Sequence, residues 1–103
     1  LDVLRKKLVT LESQKMQLEQ LIRRLQDELK RELELAGKAP EMGAFFGDFA
    51  KRIRNRQEQV QKEIQALDKK ISAVQDEIAV AFSEVKKFEI ALANAKKKKA
   101  AQQ

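Results

Sequence analysis

The chain has no cysteine, no histidine, no tryptophan and no tyrosine in 103 residues. Without cysteine there is neither a disulfide framework nor thiolate chemistry, and a reducing cytosol suits such a chain. Without histidine the usual general base and the commonest metal ligand are missing. No apolar run approaches the roughly 20 residues that span a bilayer, and no signal-peptide pattern opens the chain. Gly37, Gly43 and Gly47 are the only glycines, and none opens a nucleotide-binding loop. Gly43 and Gly47 match the spacing of small residues in membrane helix pairs, but Glu41, Asp48 and Lys51 break the apolar context that pattern needs. Carboxylates are plentiful, yet on a slender helical rod nothing desolvates a pair of them. The expectation is therefore no enzyme, no cofactor and no metal. Leu1 stands where an initiator methionine would and already falls in an apolar helical pattern, so a fragment lacking both ends is expected.

What the chain does have is an apolar heptad seam that runs twice and breaks once. With Leu1 as position a, the first ten a/d sites run from Leu1 and Leu4 to Leu29 and Glu32, and eight of them are aliphatic. The second seam runs from Ala50 and Ile53 through Val60, Ile64, Ile71, Val74 and Ile78 to Leu92 and Ala95. A 3.5-residue apolar repeat makes a narrow stripe that must bury itself against another helix. The 37% of residues that are charged fit solvated outer faces on such helices.

Between the seams lies the one convincing breaker, Gly37 to Gly43, with Pro40 inside it. The expected layout is a first helix over 1–36, a turn over 37–43 and a second helix over 44–100. Gly37 is expected to end the first helix in a left-handed conformation. Pro40 suits the first turn of the second helix, and Gly43 is the alternative start. Pairs such as Asp2 with Lys6, Asp27 with Arg31, Asp48 with Arg52 and Glu58 with Lys62 are expected to support the exposed faces.

An antiparallel pair sets a residues against d residues at a constant sum of residue numbers. A sum of 82 does this along the whole length, matching Leu29 with Ile53, Leu18 with Ile64, Leu11 with Ile71 and Leu4 with Ile78. It centres the turn at Glu41, inside the breaker. Register and breaker agree on one fold class, an all-α antiparallel two-helix coiled-coil hairpin with a longer second helix. Three polar residues interrupt the seam: Lys15 opposite Leu67, Gln57 opposite Leu25, and Glu32 opposite Ala50. Long charged side chains lay their stems along a seam and send their heads to water, the reading preferred for Lys15 and Glu32. The alternative is that such residues fix register.

Two surfaces stand out as partner sites. Residues 82–103 have no mate in this register, yet Phe82, Val85, Phe88 and Leu92 continue an apolar stripe there beside Lys86 and Lys87. Missing upstream residues, a second copy or another protein would cover it. Near the turn, Phe45, Phe46 and Phe49 are expected to pack over Leu33 and Leu35, with at least one left exposed beside Arg52 as a contact anchor. Net charge is +6, and residues 37–103 carry +5 of it, from fourteen basic and nine acidic residues. Lys96 to Lys99 suit a helix C-terminus, or contact with an acidic protein, nucleic acid or the anionic lipid of a membrane surface.

The segment Ala81-Phe82-Ser83-Glu84-Val85-Lys86-Lys87-Phe88-Glu89, leading into Ile90-Ala91-Leu92-Ala93, resembles the second helix of FliJ-like proteins of the bacterial flagellum, in forms associated with alphaproteobacteria. The layout is similar too: a leucine-rich first helix, a central turn and a longer basic second helix. The resemblance implies a cytoplasmic coiled-coil component of the type III protein export apparatus, similar to the stalk of rotary ATPases. It implies as partners the export ATPase, the export gate and export chaperones. By that analogy Phe82 to Leu92 with Lys86 and Lys87 face the ATPase, and the region of Phe45, Phe46, Phe49 and Ile53 faces the gate. Two other functions compete on the residues alone: a basic arm for nucleic acid, disfavoured because acidic residues interrupt the basic face, and a structural spacer or homo-oligomer joined through the overhang.

Overall fold

The computed structural model describes residues 1–102 and is a helical hairpin. Helix α1 spans Asp2–Lys38, a short 3-10 turn spans Pro40–Met42, and helix α2 spans Gly43–Gln102. The two helices lie against each other in a rod of 94 × 17 × 15 Å. The 60 residues of α2, at about 1.5 Å each, account for nearly all of that length. The radius of gyration is 25.8 Å, roughly twice that of a compact domain of this size. No helix among the described residues is long and apolar enough to cross a membrane.

The turn forms for a different reason from the one expected. Gly37 does not adopt a left-handed conformation; no residue among those described has a positive φ. It stays inside α1, which runs on to Lys38. The break comes at Ala39, whose φ of −135° and ψ of 84° are extended. Ala39 precedes Pro40, and the proline ring disfavours helical backbone at the residue before it. The Ala39 amide still donates to the Leu35 carbonyl at 3.1 Å, and the Met42 amide donates to the Ala39 carbonyl at 2.9 Å. Pro40 opens the 3-10 turn, where its missing amide leaves no hydrogen bond unmade. Gly43 is the first residue of α2, already right-handed at φ −58°.

The core is the seam. The buried residues are Leu11, Leu25, Ala50, Ile53, Val60, Ile64, Ile71 and Val74, all at a or d sites. Leu11, Ile71 and Val74 cluster together, with Leu8, Leu67 and Ile78 packed against them. These are neighbours in the antiparallel register of sum 82. Val60 and Val74 are the most deeply enclosed, at 0% and 2% exposure.

The polar interruptions have specific partners. Lys15 Nζ lies 2.6 Å from Asp68 Oδ1 and 3.9 Å from Glu19 Oε1. Its head therefore reaches a carboxylate on the opposite helix rather than water alone, which corrects the sequence expectation. The hydrogen bond to Asp68 pushes the Lys15 ammonium above its ordinary value, and the charges of Asp68 and Glu19 add to this while desolvation opposes it. Gln57 Nε2 donates to Gln26 Oε1 across the helix pair at 3.1 Å. Glu32 is exposed, as its long side chain allows. The expected pairs Asp2–Lys6, Asp27–Arg31, Asp48–Arg52 and Glu58–Lys62 do not form: the ion pairs among the described residues are those of Lys15 and one between Lys86 and Glu89. Attraction between exposed charges is weak in water and does not offset the entropy of holding two long side chains together.

Candidate functional site at the tip and the overhang

The hairpin places its two unusual surfaces at opposite ends. Phe45 and Phe88 stand on one helix, 43 residues apart, or about 65 Å at 1.5 Å per residue. No single small partner spans both.

At the tip, the first turns of α2 fold back over the last turn of α1 and enclose a groove of about 500 Å³. Leu35, Met42, Phe45, Phe46 and Phe49 line it, with Arg52 at its edge. Phe45 is 68% exposed, whereas Phe46 and Phe49 are half-buried. The aromatic set thus divides: two rings close the end of the hairpin and one projects. Leu33, expected under these rings, lies outside the groove; Leu35 lines it, yet both leucines stay more than half exposed. Residues two apart on a helix point about 200° from each other, so both leucines could not face the same set. Met42 is a lining residue that sequence reasoning missed. Its signal was its place in the turn next to the phenylalanines, where a flexible thioether fills irregular space. Beyond the groove, Lys51, Arg52, Arg54 and Arg56 are all exposed, and none forms an ion pair among the described residues. They add positive charge beside a groove whose lining also holds Glu32, Lys38 and Asp48.

At the far end, α2 continues as a single helix once α1 has ended. The last partly covered seam residue is Ala81; every residue from Phe82 to Gln102 is exposed. Phe82 is 50% exposed, Val85 43%, Phe88 69% and Leu92 47%. These values mark a stripe without a cover, in contrast to the same heptad positions of the shaft. The apolar band is also wider here. Phe82 falls at an e position and Ala91 at a g position, so a, d, e and g all contribute. A seam of that width suits broader helix–helix contact than the a/d stripe of the shaft. Lys86 Nζ sits 5.3 Å from the centre of the Phe82 ring and 3.5 Å from Glu89 Oε2. Lys86 stands four residues after Phe82 and three before Glu89, so the helix itself sets this ladder. Lys87 stands free and exposed on the outer face.

Among the described residues no cluster of three acidic side chains comes together as a cation site. What the arrangement offers is docking: a groove with one projecting ring at the tip, and an open apolar stripe edged by lysine at the overhang. Comparisons with protein-family models, curated proteins and solved structures find no match to this chain.

Proposed function

We propose that the chain is a non-enzymatic coiled-coil adaptor of the bacterial flagellar type III export apparatus, which couples a hexameric export ATPase to other export components by inserting a helical rod. One observation carries this reading: a continuous helix emerges from a self-paired shaft and bears Phe82, Val85, Phe88 and Leu92 uncovered. A stalk in a ring needs a stiff shaft and one end free to grip. The shaft supplies the stiffness through its buried seam, and the overhang supplies apolar anchors rimmed by Lys86 and Lys87. The resemblance of residues 81–93 to the FliJ-like second helix supports the choice of ATPase as the overhang's partner. The tip, with Phe45 and Arg52 exposed, is assigned on the same analogy to the export gate, and chaperones of the pathway are further partners. On this reading the protein acts in the cytoplasm, peripherally at the inner face of the membrane.

Phe88→Asp tests the assignment. It places a charge in the centre of the stripe and touches no buried residue of the shaft. The expected result is at least about tenfold weaker binding to the export ATPase hexamer, as for loss of an aromatic anchor, with helical circular dichroism retained. Unchanged affinity removes the ATPase from the overhang.

A further inference from the structure

We propose that the hairpin carries a second register, in which α2 slides one heptad along α1 and the turn moves from Ala39 to Gly37. The inference stands independently of the export reading.

The apolar seam permits the slide. A heptad repeat matches itself again after seven residues, so the observed pairing at a sum of 82 has a neighbour at a sum of 75. From Leu1 to Glu32 there are ten a/d pairs, and at a sum of 82 the exceptions to apolar pairing are those of Lys15, Gln57 and Glu32. At a sum of 75 the exceptions are again three: Lys15 with Val60, Leu18 with Gln57 and Glu32 with Gly43. The other pairs stay apolar, among them Leu4 with Ile71, Leu11 with Ile64 and Ile22 with Ile53. Phe46, a d residue half-buried at the tip, then enters the seam opposite Leu29. The opposite slide, to a sum of 89, centres the reversal between Ala44 and Phe45, inside α2. It has to unwind the start of α2 or hold it away from α1, where Ala50 is buried.

The turn supplies the second half of the argument. At a sum of 75 the chain reverses between Gly37 and Lys38. Gly37 then stands just past α1, the place where a left-handed glycine ends a helix. Ala39 stays out of helix before Pro40, as it does in the observed turn. Pro40 falls at the first position of α2, where its fixed φ fits and no amide is missed. Gly37, Lys38 and Ala39 link the helices, a usual length for a helical hairpin. In the observed register Gly37 is right-handed, and a methyl group added to it meets nothing within 4 Å. The glycine has no task there; the second register gives it one.

Polar contacts weigh the two registers. Lys15 with Asp68 and Gln57 with Gln26 each join an a residue to an e residue, at a sum of 83. One heptad along, the same geometry brings Lys15 to Gln61 and Gln57 to Glu19. Lys15 and Gln57 each keep a polar neighbour, so the slide is not blocked. A bridge of 2.6 Å between ammonium and carboxylate is exchanged for a contact of ammonium with amide, the weaker of the two. That difference holds the observed register. The slide moves one helix along the other by about 10 Å and withdraws Phe46 from the tip groove. A ligand that fits the groove as it stands therefore favours the observed register, and one that needs Phe46 withdrawn favours the other.

Distances between spin labels read the register directly. The chain has no cysteine, so Ser13→Cys with Asn55→Cys, both at exposed positions, places one label on each helix. Their separation along the rod is about 21 Å at a sum of 82, about 10 Å at 75 and about 32 Å at 89. Exchanging two exposed residues, Gln61→Asp with Asp68→Gln, carries the carboxylate one heptad toward the turn and leaves the composition unchanged. The labelled parent is expected to show the middle distance. The exchanged variant is expected to gain several-fold in the shortest one. Adding Gly37→Ala removes that gain, because alanine resists the left-handed turn. An exchanged variant with the parental distance alone overturns the proposal, as does a shift to the longest distance. A gain that survives Gly37→Ala overturns the part assigned to Gly37. Circular dichroism checks that each variant keeps its helices. None of these measurements involves an ATPase, so their failure is separate from failure of the export reading.

Discussion

Lys15 shows how one polar residue can occupy an apolar seam. It takes an a position opposite Leu67, where a leucine would be expected, and its ammonium bridges to Asp68 on the facing helix. A lysine whose value is raised in the folded state stabilises that state fully below the unfolded value of 10.5. The contribution fades as pH rises through the higher folded value. Asp68→Asn is therefore expected to be less stable than the parent at neutral pH, with the gap closing above about pH 10.5 as lysine loses its proton. Thermal melts of both proteins across that range check the sign. Val60 makes a contrasting case. It is fully enclosed, while Val3 is 79% exposed. Val60→Ala is expected to cost about 1–2 kcal/mol, from lost burial and a residual cavity. Val3→Ala is expected to stay within about 0.5 kcal/mol. Urea titrations of the two variants measure the difference, and equal effects would contradict the seam.

At the scale of the element, the helix ends are set by proline rather than glycine. Gly37 and Gly47 both sit in right-handed helix, and a methyl group added at either meets nothing within 4 Å. Neither glycine is needed by the conformation or by close packing. Gly37→Ala and Gly47→Ala are each expected to stabilise the protein by about 0.5–1 kcal/mol, mostly by restricting the unfolded chain. That corresponds to a rise of several degrees in melting temperature. A loss of stability at Gly37 would mean that the turn does require its freedom. The same residue shows what the sequence could not convey. Glycine and proline both read as breakers within Gly37 to Gly43, and only the backbone reveals which one acts. The steric rule that settles it, the bar on helix before proline, was available from Ala39-Pro40, but so was the competing rule for glycine.

At the scale of the molecule, the hairpin divides into a shaft that buries its own seam and an overhang that does not. Phe82 to Gln102 make no contribution to the intramolecular core. A chain ending at Ser83 is therefore expected to melt within about 0.5 kcal/mol of the full chain's shaft when both are measured dilute, since the lost residues are exposed. A larger loss would show that the overhang folds back on the shaft. The two exposed surfaces were only partly legible in the sequence. The uncovered stripe from Phe82 to Leu92 comes from counting residues on either side of the turn. The tip was less accessible: three phenylalanines in five residues announced a cluster, but which ring projects depends on how the first turn of α2 leans on the end of α1.

The heptad period, the register of sum 82 and the hairpin were determined by the sequence alone, because helical periodicity is local and a constant sum is simple arithmetic along two stripes. The stop at Ala39, the bridge from Lys15 to Asp68, the contact of Gln57 with Gln26 and the exposure of Phe45 were decided by the tertiary structure. Each depends on how far one helix is rotated and shifted against the other, and on which of several reachable partners a flexible side chain meets. A one-dimensional pattern fixes which faces meet; it does not fix the rotation and rotamers that decide which atoms do.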